Sequence, residues 1–419
     1  MKGIGIGVSD FKMLRVRDNY YIDKTMYIKD IIDNQSGVIL ITRPRRFGKT
    51  LNMSMLRYYF DCRQKVNKEL FEGLKIMTQD EKYTSKLGYY PVIYLTLKDV
   101  SESTYENMLL SLKVAILNMY KEHRYLLDSD KIYEEEKEKI KDILYERENE
   151  VALKTAIREL SEYLNRYYEK PAILLIDEYD VPIQSTYVEG YYEEAIKFLK
   201  TFYGTTFKDN QYLEKTVLTG VSRVAKESIF SGANNFKVFT VLDNEFADDF
   251  GITEEEMDKV IEDFNVEDQK EEIRKWYDGY KIGNVEGIYN PWSILNYLTD
   301  KQLKPYWVNT SSNDLIKLIL KKSFTVKDKI ERLLRGETIE VKIDLETVIV
   351  GIEENEDNIW GLMLGTGDLK VVEVVDLPNK IYKVALPNYE IKLLFEQIID
   401  NWFRNKVMGN DLQSILKDL

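Results

Sequence analysis

The fold is decided by residues 38–50, which read VILITRPRRFGKT. The apolar run predicts a buried strand, Val38–Thr42, and the polar turn after it leads into a helical pattern from about Thr50 to Tyr59. Gly48 stands at the end of this turn, just before the helix. Because the first N–H groups of a helix lack partners within it, a glycine turn at this position is a typical phosphate-binding context.

Each residue at the end of this loop has an expected role. Gly48 lets the backbone approach a phosphate, Lys49 reaches the β- and γ-phosphates, and the Thr50 hydroxyl binds Mg²⁺. The usual pattern has glycine five positions before Gly48, where this chain has Arg43. We therefore expect a less tightly wound loop or a charge contribution from Arg43, with an ordinary basic strand–helix turn as the alternative. The residues predicted to bind the nucleotide are Arg43, Arg45, Arg46, Phe47, Gly48, Lys49 and Thr50.

A second apolar strand ends in two carboxylates, since residues 173–178 read ILLIDE. A strand buried on both faces tolerates acidic residues only at its carboxyl end, where ligands bind in parallel sheets. Asp177 is predicted to hold Mg²⁺ through water, together with Thr50, and Glu178 to orient and deprotonate an attacking water molecule. With Lys49 neutralising charge, this set predicts hydrolysis of the β–γ bond of a nucleoside triphosphate. The alternative is that the two acids only begin a polar loop.

A third element is the segment 217–223, which reads VLTGVSR. In P-loop ATPases with a glutamate after the metal-binding aspartate, a further strand lies between the two motif strands, and its polar end faces the γ-phosphate. Thr219, Ser222 or Arg223 is predicted to take that sensor role, and Arg223 to stabilise transition-state charge as a catalytic residue with Lys49 and Glu178. The alternative is a strand-to-loop turn with a surface arginine.

Composition limits the classes of function. The chain has 419 residues, which predicts two or three packed units, and its net charge of −13 argues against a large basic face for nucleic acid. Cys62 is the single cysteine and His123 the single histidine, so neither an internal disulfide nor a zinc cluster is expected. We expect His123 at the surface. The sequence has neither a run of about 20 apolar residues nor a signal peptide, so we expect a cytoplasmic protein without a membrane partner.

The alternation of strands and helices in the first half predicts the α/β class, with a five-stranded parallel sheet. Thr253, followed three residues later by Glu256, is a helix-start signal. We predict a P-loop NTPase core at 1–250, a helical lid at 251–337, and a small β-containing segment at 338–419 that leads to a C-terminal helix. The other predicted strands are Val92–Leu97, Ala172–Ile176, Thr216–Thr219 and Val238–Leu242.

Short ordered motifs extend along the chain. In the first half they are YIDKT (21–25), RPRRFGKT (43–50), IDEYDVP (176–182) and TGVSR (219–223). In the second half they are WYDGY (276–280), YNPWS (289–293), WVNTS (307–311) and LPNYE (386–390). From about residue 8 to the C-terminus, the chain resembles the bacterial AAA-ATPase-like family. In that family the arginine-rich loop is the usual form of the motif.

The choice of ATP over GTP rests on this resemblance, since no residue pattern indicates which base is bound. The resemblance also implies a following nuclease-like domain of the PD-(D/E)XK type, which we expect to be missing, since the chain stops at Leu419 shortly after the 386–390 motif. Glu340–Lys342 and Asp368–Lys370 have the acid-x-Lys form of a nuclease strand. No preceding aspartate at suitable spacing supports either, so we interpret both as strand residues.

Two other functions stay open. One is a nucleotide-gated switch with little turnover, in which ATP sets the position of the lid. The other is the ATPase part of a nucleic-acid-processing defence protein, with nucleic acid or a nuclease-like partner. The sequence indicates neither the partner nor the oligomeric state.

Overall fold

The computed structural model describes residues 2–63, 67–222, 230, 235–307, 324–345 and 356–399, which form three β-sheets surrounded by helices. The strands are β1 Val38–Thr42, β2 Val92–Thr96, β3 Ala172–Asp177, β4 Leu213–Gly220, β5 Phe236–Phe239, β6 Tyr280–Ile282, β7 Val285–Ile288, β8 Ile339–Lys342, β9 Lys370–Asp376 and β10 Ile381–Ala385. The helices are α1 Phe11–Val16, α2 Met26–Asp33, α3 Lys49–Phe60, α4 Asn67–Phe71, α5 Glu81–Thr84, α6 Tyr105–Lys121, α7 Glu134–Leu144, α8 Glu150–Tyr168, α9 Val181–Val188, α10 Tyr192–Phe207, α11 Glu254–Phe264, α12 Lys270–Tyr277, α13 Pro291–Asp300, α14 Phe324–Leu334 and α15 Glu356–Thr366. Residues 389–399 are helical as well.

The largest sheet has five strands in the order β2-β3-β4-β1-β5, and every neighbouring pair is parallel. This confirms the predicted α/β class and the predicted sheet. Strand β4 lies between β1 and β3, as expected for the strand that carries Thr219. Because the strands are parallel, their carboxyl ends meet at one edge, where the loops that follow β1, β3 and β4 come together.

The fifth strand was predicted two residues too late. It spans Phe236–Phe239, not Val238–Leu242. The N–H and the hydroxyl of Thr240 both donate to Oδ2 of Asp243 at 2.7 Å, which forms a turn directly after Phe239. This side chain–backbone turn competes with the strand and ends it.

Both faces of the parallel sheet are buried, and alternate residues of β1 point to opposite sides. Leu40 packs with Leu160 of α8 and Phe202 of α10 in one hydrophobic cluster. Ile39 belongs to a second cluster, which includes Leu56 of α3. Strands covered on both faces are expected to be apolar throughout, and every residue of β1 and β3 is buried.

The segment predicted to form a lid is helical in α11, α12 and α13, which share a third hydrophobic cluster. The predicted start signal of α11 is confirmed. Thr253 accepts from the Glu256 N–H at 3.3 Å, and the Glu256 carboxylate accepts from the Thr253 N–H at 2.9 Å. Lys24 connects this helix to the N-terminal part of the chain through a 2.6 Å contact with Glu256.

The C-terminal part forms an antiparallel sheet in the order β8-β10-β9. Val341 and Val384 of this sheet belong to the same hydrophobic cluster as Phe47 of the phosphate loop. Glu340–Lys342 lie in a strand, as interpreted from the sequence, whereas Asp368 lies in the turn before β9. The C-terminal sheet and the phosphate loop therefore contribute to one hydrophobic cluster.

The expected surface position of His123 was wrong. Its side chain is only 1% exposed, and burial lowers its pKa well below the usual value. Its Nδ1 lies 3.1 Å from the hydroxyl of Tyr125, which satisfies one ring nitrogen. Within the described ranges, no helix combines the length and the apolar character needed to cross a bilayer.

Candidate nucleotide-binding site

The loop between β1 and α3 turns through two residues with positive φ, Arg46 at 66° and Gly48 at 86°. Gly48 is the N-cap of α3, and no side chain caps this helix end. A Cβ at Gly48 would meet no atom within 4 Å, so glycine is favoured by its backbone conformation and not by crowding. The helix N-terminus therefore has no side-chain cap to compete with a phosphate group for its N–H groups.

Lys49 folds back over its own loop and is only 5% exposed. Its Nζ donates to the carbonyl oxygens of Arg43 at 3.1 Å and Pro44 at 2.9 Å. Burial lowers the pKa of Lys49, and the carboxylates of Glu178 and Asp177 oppose that shift. The ammonium group thus lies within electrostatic range of the acids that end and follow β3.

The structure does not place Arg43 with the other loop residues that were predicted to bind phosphate. Its side chain is fully buried, and its guanidinium lies 5.4 Å from the ring of Phe250. Both terminal nitrogens donate to main-chain carbonyls, so Arg43 joins the phosphate loop to β5 and the segment after it. The accepting carbonyls belong to Thr42, Phe239, Thr240, Glu245 and Phe246, at 2.8–3.3 Å.

The remaining loop side chains are one buried aromatic ring, Phe47, and two arginines that are more exposed, Arg45 and Arg46. The ring of Phe47 is buried and packs edge-on against Tyr280, with centroids 4.9 Å apart. Arg46 is exposed, and its guanidinium lies 4.3 Å from the ring centre of Trp292. Arg45 is half-buried. Among the predicted phosphate-binding residues, Arg45, Arg46 and Lys49 therefore bring cations to the loop itself.

Asp177, the last residue of β3, is fully buried at the carboxyl edge of the sheet. Its Oδ1 accepts a 2.7 Å hydrogen bond from the hydroxyl of Thr219, and its buried Oδ2 has no hydrogen-bond partner among the described residues. Burial raises the pKa of Asp177, while Thr219, Thr50 and Lys49 oppose that shift. Asp177 and Thr50, the two predicted Mg²⁺ ligands, therefore lie next to each other.

Glu178 follows Asp177 with a positive φ of 54°, a conformation that non-glycine residues rarely adopt. It is half-buried; burial raises its pKa, and the charge of Lys49 opposes that shift. The N–H of the next residue, Tyr179, donates to the Thr219 carbonyl at 3.0 Å. This bond fixes the backbone on the far side of Glu178 to the central strand.

Two of the three residues predicted as γ-phosphate sensors, Thr219 and Ser222, lie in the described part of the chain. Thr219 reaches Asp177, while the hydroxyl of Ser222 donates to Oδ2 of Asp180 at 3.0 Å. Arg223, which was predicted to be catalytic, lies outside the described residues. Of the two sensor candidates that the structure describes, Thr219 and Ser222, Thr219 is thus the one whose hydroxyl donates to a predicted metal ligand.

Asp180 has a role that the sequence analysis did not identify. Its Oδ2 accepts from the N–H groups of Val221 and Ser222, at 3.0 and 2.8 Å, and from Gln184 at 2.6 Å. A Cβ at Gly220 would lie 2.6 Å from Oδ1 of Asp180, so only glycine fits beside this carboxylate. Asp180, in the loop after β3, therefore fixes the backbone of Val221 and Ser222, directly after β4. Asp180 belongs to the family motif IDEYDVP (176–182), but the sequence alone indicated no function for it.

The residues present fit a magnesium ion. Mg²⁺ is usually held by one or two protein oxygens together with substrate phosphates, so it does not need a complete protein cage. Asp177 offers a buried oxygen without a partner, and Thr50 lies beside it. Within the described part of the chain, no three His, Cys, Asp or Glu side chains form a ready-made cation site. A metal at Asp177 would therefore depend on a phosphate for its other ligands.

A parallel α/β sheet with a Gly-Lys-Thr loop after one strand and Asp177 at the end of another defines a P-loop NTPase core. The chain belongs to the predicted AAA-ATPase family, whose model matches residues 5–230. The match covers the sheet strands β1–β4, the phosphate loop and the Asp177–Glu178 pair.

Two further proteins are similar to this chain. The uncharacterized protein in the vnfD 5′ region of Azotobacter chroococcum mcd 1 is 26% identical over 399 residues, which cover 93% of this chain and 68% of that protein. The Walker-type ATPase PABY2304 of Pyrococcus abyssi has a solved structure with a TM-score of 0.42 and 13% identity. That alignment covers 89% of this chain and 94% of the other.

Proposed function

We propose that this protein binds and hydrolyses ATP with Mg²⁺ at the carboxyl edge of the five-stranded sheet. The observation that carries the proposal is the convergence of Lys49, at an uncapped helix N-terminus, with Asp177 and Glu178 at the end of β3. Two separate segments of the chain thus bring together a buried cation, a candidate metal ligand and a candidate base.

The chain's own residues divide the chemistry. The N–H groups at the start of α3 and the ammonium of Lys49 bind the phosphates, so Lys49 must leave the carbonyls of Arg43 and Pro44 to do so. Asp177 and Thr50 would hold Mg²⁺, which when bound neutralises charge on the β- and γ-phosphates. Arg45 and Arg46 add positive charge at the rim of the loop.

Glu178 is the residue that we assign as general base. It accepts a proton from a water molecule whose oxygen attacks the γ-phosphorus, while the bond from that phosphorus to the β–γ bridging oxygen breaks and ADP leaves. Its backbone is fixed by Thr219, which also orients Asp177, so base and metal site share one support. Arg223 follows Ser222 directly, and we propose that it stabilises the developing charge.

We further propose that the 251–337 region closes over the nucleotide and passes its state to the C-terminal segment. Phe47 supports this connection, because its ring packs on Tyr280 and its carbonyl accepts from the Gly251 N–H at 3.2 Å. A change in the conformation of the phosphate loop would therefore move Phe47, which contacts Gly251 at the start of the proposed lid.

The test is release of phosphate from ATP in the presence and absence of Mg²⁺. Lys49→Ala and Glu178→Gln are compared with the exposed controls Lys197→Ala and Glu193→Gln on α10. We expect both site variants to lose at least about a hundredfold in turnover, as is typical for a removed catalytic donor or base, and the controls to keep it. Lys49→Ala should also abolish ATP binding, whereas Glu178→Gln should retain it. Binding without turnover in the parent protein would instead identify a nucleotide-gated switch.

A further inference from the structure

Two successive residues of the phosphate loop are held by tryptophans from the second half of the chain. The indole Nε1 of Trp307 donates to the carbonyl oxygen of Arg45 at 3.4 Å. The guanidinium of Arg46 lies 4.3 Å above the ring of Trp292, in the range of a cation–π contact. The outer side of the loop is therefore supported by residues more than 240 positions away in sequence.

A third contact reaches the same loop from the turn before β9. A Cβ at Gly367, which has a φ of 89°, would lie 2.9 Å from the Cβ of Pro44. The neighbouring Asp368 is buried, and burial raises its pKa to about 6, while the charge of Arg45 opposes that shift. Pro44, Arg45 and Arg46 thus each have a neighbour in the C-terminal half.

Glu390 connects the segments that carry the two tryptophans. It is fully buried. Its Oε1 accepts a 2.7 Å hydrogen bond from the main-chain N–H of Trp307, and its Oε2 accepts a 2.8 Å bond from the hydroxyl of Ser293, the residue after Trp292. One carboxylate therefore fixes the positions from which both tryptophans reach the phosphate loop.

A buried carboxylate without a cation is costly to fold, so its presence requires an explanation. Among the described residues, Glu390 takes part in no salt bridge, and burial raises its pKa to about 7. The titratable groups that face it are the phenols of Tyr277, Tyr280 and Tyr306. None of these supplies a positive charge. The hydrogen bonds of Glu390 go instead to the hydroxyl of Ser293 and to the main chain of Tyr306 and Trp307.

We propose that Glu390 is a positioning residue for the phosphate loop. It acts through Ser293–Trp292 on Arg46 and through Trp307 on Arg45, and so keeps the loop in the conformation that receives phosphate. The consequence for ATP rests on the proposed function, whereas the effect on the loop does not. The C-terminal motif would thereby become a part of the nucleotide site that touches no nucleotide.

Hydrogen exchange of the loop 43–48 in the nucleotide-free protein tests the positioning role directly. Glu390→Ala should raise exchange of these amides about fivefold, the value expected for one lost hydrogen bond. Glu390→Gln should rescue it, because the glutamine carbonyl accepts from Trp307 and its amide donates to Ser293. Trp307→Phe keeps a ring but removes the donor to Arg45, so it should raise exchange in the loop and leave α13 unchanged.

Equilibrium binding of Mg-ATP then tests the functional consequence. We expect Glu390→Ala and Trp307→Phe each to weaken affinity about fivefold. The double variant should bind no more weakly than Glu390→Ala, since the contact of Trp307 with Arg45 is one of the two routes that Glu390 supports. Unchanged loop exchange in Glu390→Ala overturns the positioning role, as does a rise spread evenly over the whole chain, which means general destabilisation. If the parent protein binds no ATP, the proposed function is overturned. Faster loop exchange in Glu390→Ala than in that parent would then still support the positioning role.

Discussion

The hydroxyl of Thr219 donates a 2.7 Å hydrogen bond to Oδ1 of Asp177. The bond crosses from β4 to β3, which are neighbours in the sheet, and both groups are fully buried. It leaves Oδ2 of Asp177 as the oxygen without a partner. The strand between the two motif strands therefore determines which carboxylate oxygen of Asp177 keeps its lone pairs available.

Thr219→Val should remove the hydrogen bond that orients the Asp177 carboxylate, and the similar shape of valine should leave the strand unchanged. We expect turnover to fall about ten- to a hundredfold, because a hydrogen bond to a charged group contributes roughly 1.5–3 kcal/mol. The matched control is Thr216→Val on the same strand, where the buried hydroxyl has no partner among the described residues. That change should leave turnover unaffected and stability equal or slightly higher. Equal loss of turnover in both variants would contradict the role of Thr219.

Gly220→Ala should displace the segment that leads to Arg223. The new Cβ would lie 2.6 Å from Oδ1 of Asp180, so the carboxylate that holds the Val221 and Ser222 amides must move. We expect turnover to fall more than ATP affinity, measured as kcat against the equilibrium Kd. Gly204→Ala in α10 is the control: its Cβ would meet no atom within 4 Å, and the helix should gain up to about 1 kcal/mol. A fall in affinity alone would count against this assignment.

Arg43 and Arg46 should respond differently to the same substitution. Arg43→Met leaves five main-chain carbonyls without their donor in the core, so we expect a loss of about 3 kcal/mol or more in the free energy of unfolding. Arg46→Met removes an exposed side chain and should cost less than about 1 kcal/mol. Denaturant unfolding of the two variants, followed by circular dichroism, distinguishes them. Similar losses would show that Arg43 is not the structural arginine of the loop.

Glu390 should make stability depend on pH. Burial raises its pKa from 4.5 to about 7, so the folded protein keeps a proton that the unfolded chain has already released. This contribution to stability is complete below the unfolded value and is lost as the pH rises through the folded value. We expect the free energy of unfolding to fall by roughly 2–3 kcal/mol between pH 5 and 8 from this group.

Urea unfolding at pH 5, 6, 7 and 8 measures this effect. Glu390→Gln cannot ionise, so its stability should fall less over this range and exceed that of the parent at pH 8. The exposed Glu373→Gln on β9 serves as the control and should follow the parent. Parallel curves for the parent and Glu390→Gln would show that Glu390 ionises at its ordinary pH.

The sheet and the position of the site could be predicted because their signals are local. The apolar runs of β1 and β3 specify strands buried on both faces; Asp177 ends the second run, and Lys49 follows the first after the short loop 43–48. Parallel pairing then brings them to one edge. The exact end of β5 could not be predicted, because it depends on the turn that Asp243 forms with Thr240.

The errors and omissions in the site concern side chains whose partners are distant in sequence. Arg43 could not be distinguished from Arg45 and Arg46, because its acceptors lie near residue 240 and only the folded chain brings them together. Glu390 lay in a motif, but its partners Ser293 and Trp307 are about 80–100 residues away. Outside the site, His123 was placed wrongly because its charged neighbours in sequence indicated solvent, whereas its side chain is buried.

The way Lys49 is held has a consequence for the thermodynamics of ATP binding. Its side chain is buried in the folded protein, and the carbonyl oxygens of Arg43 and Pro44 accept hydrogen bonds from its ammonium group in place of water. A triphosphate therefore meets a cation that exchanges one set of oxygen partners for another, without first dehydrating. We expect the enthalpy of this exchange to be small, so that the affinity reflects the charge of the phosphates more than the desolvation of the lysine.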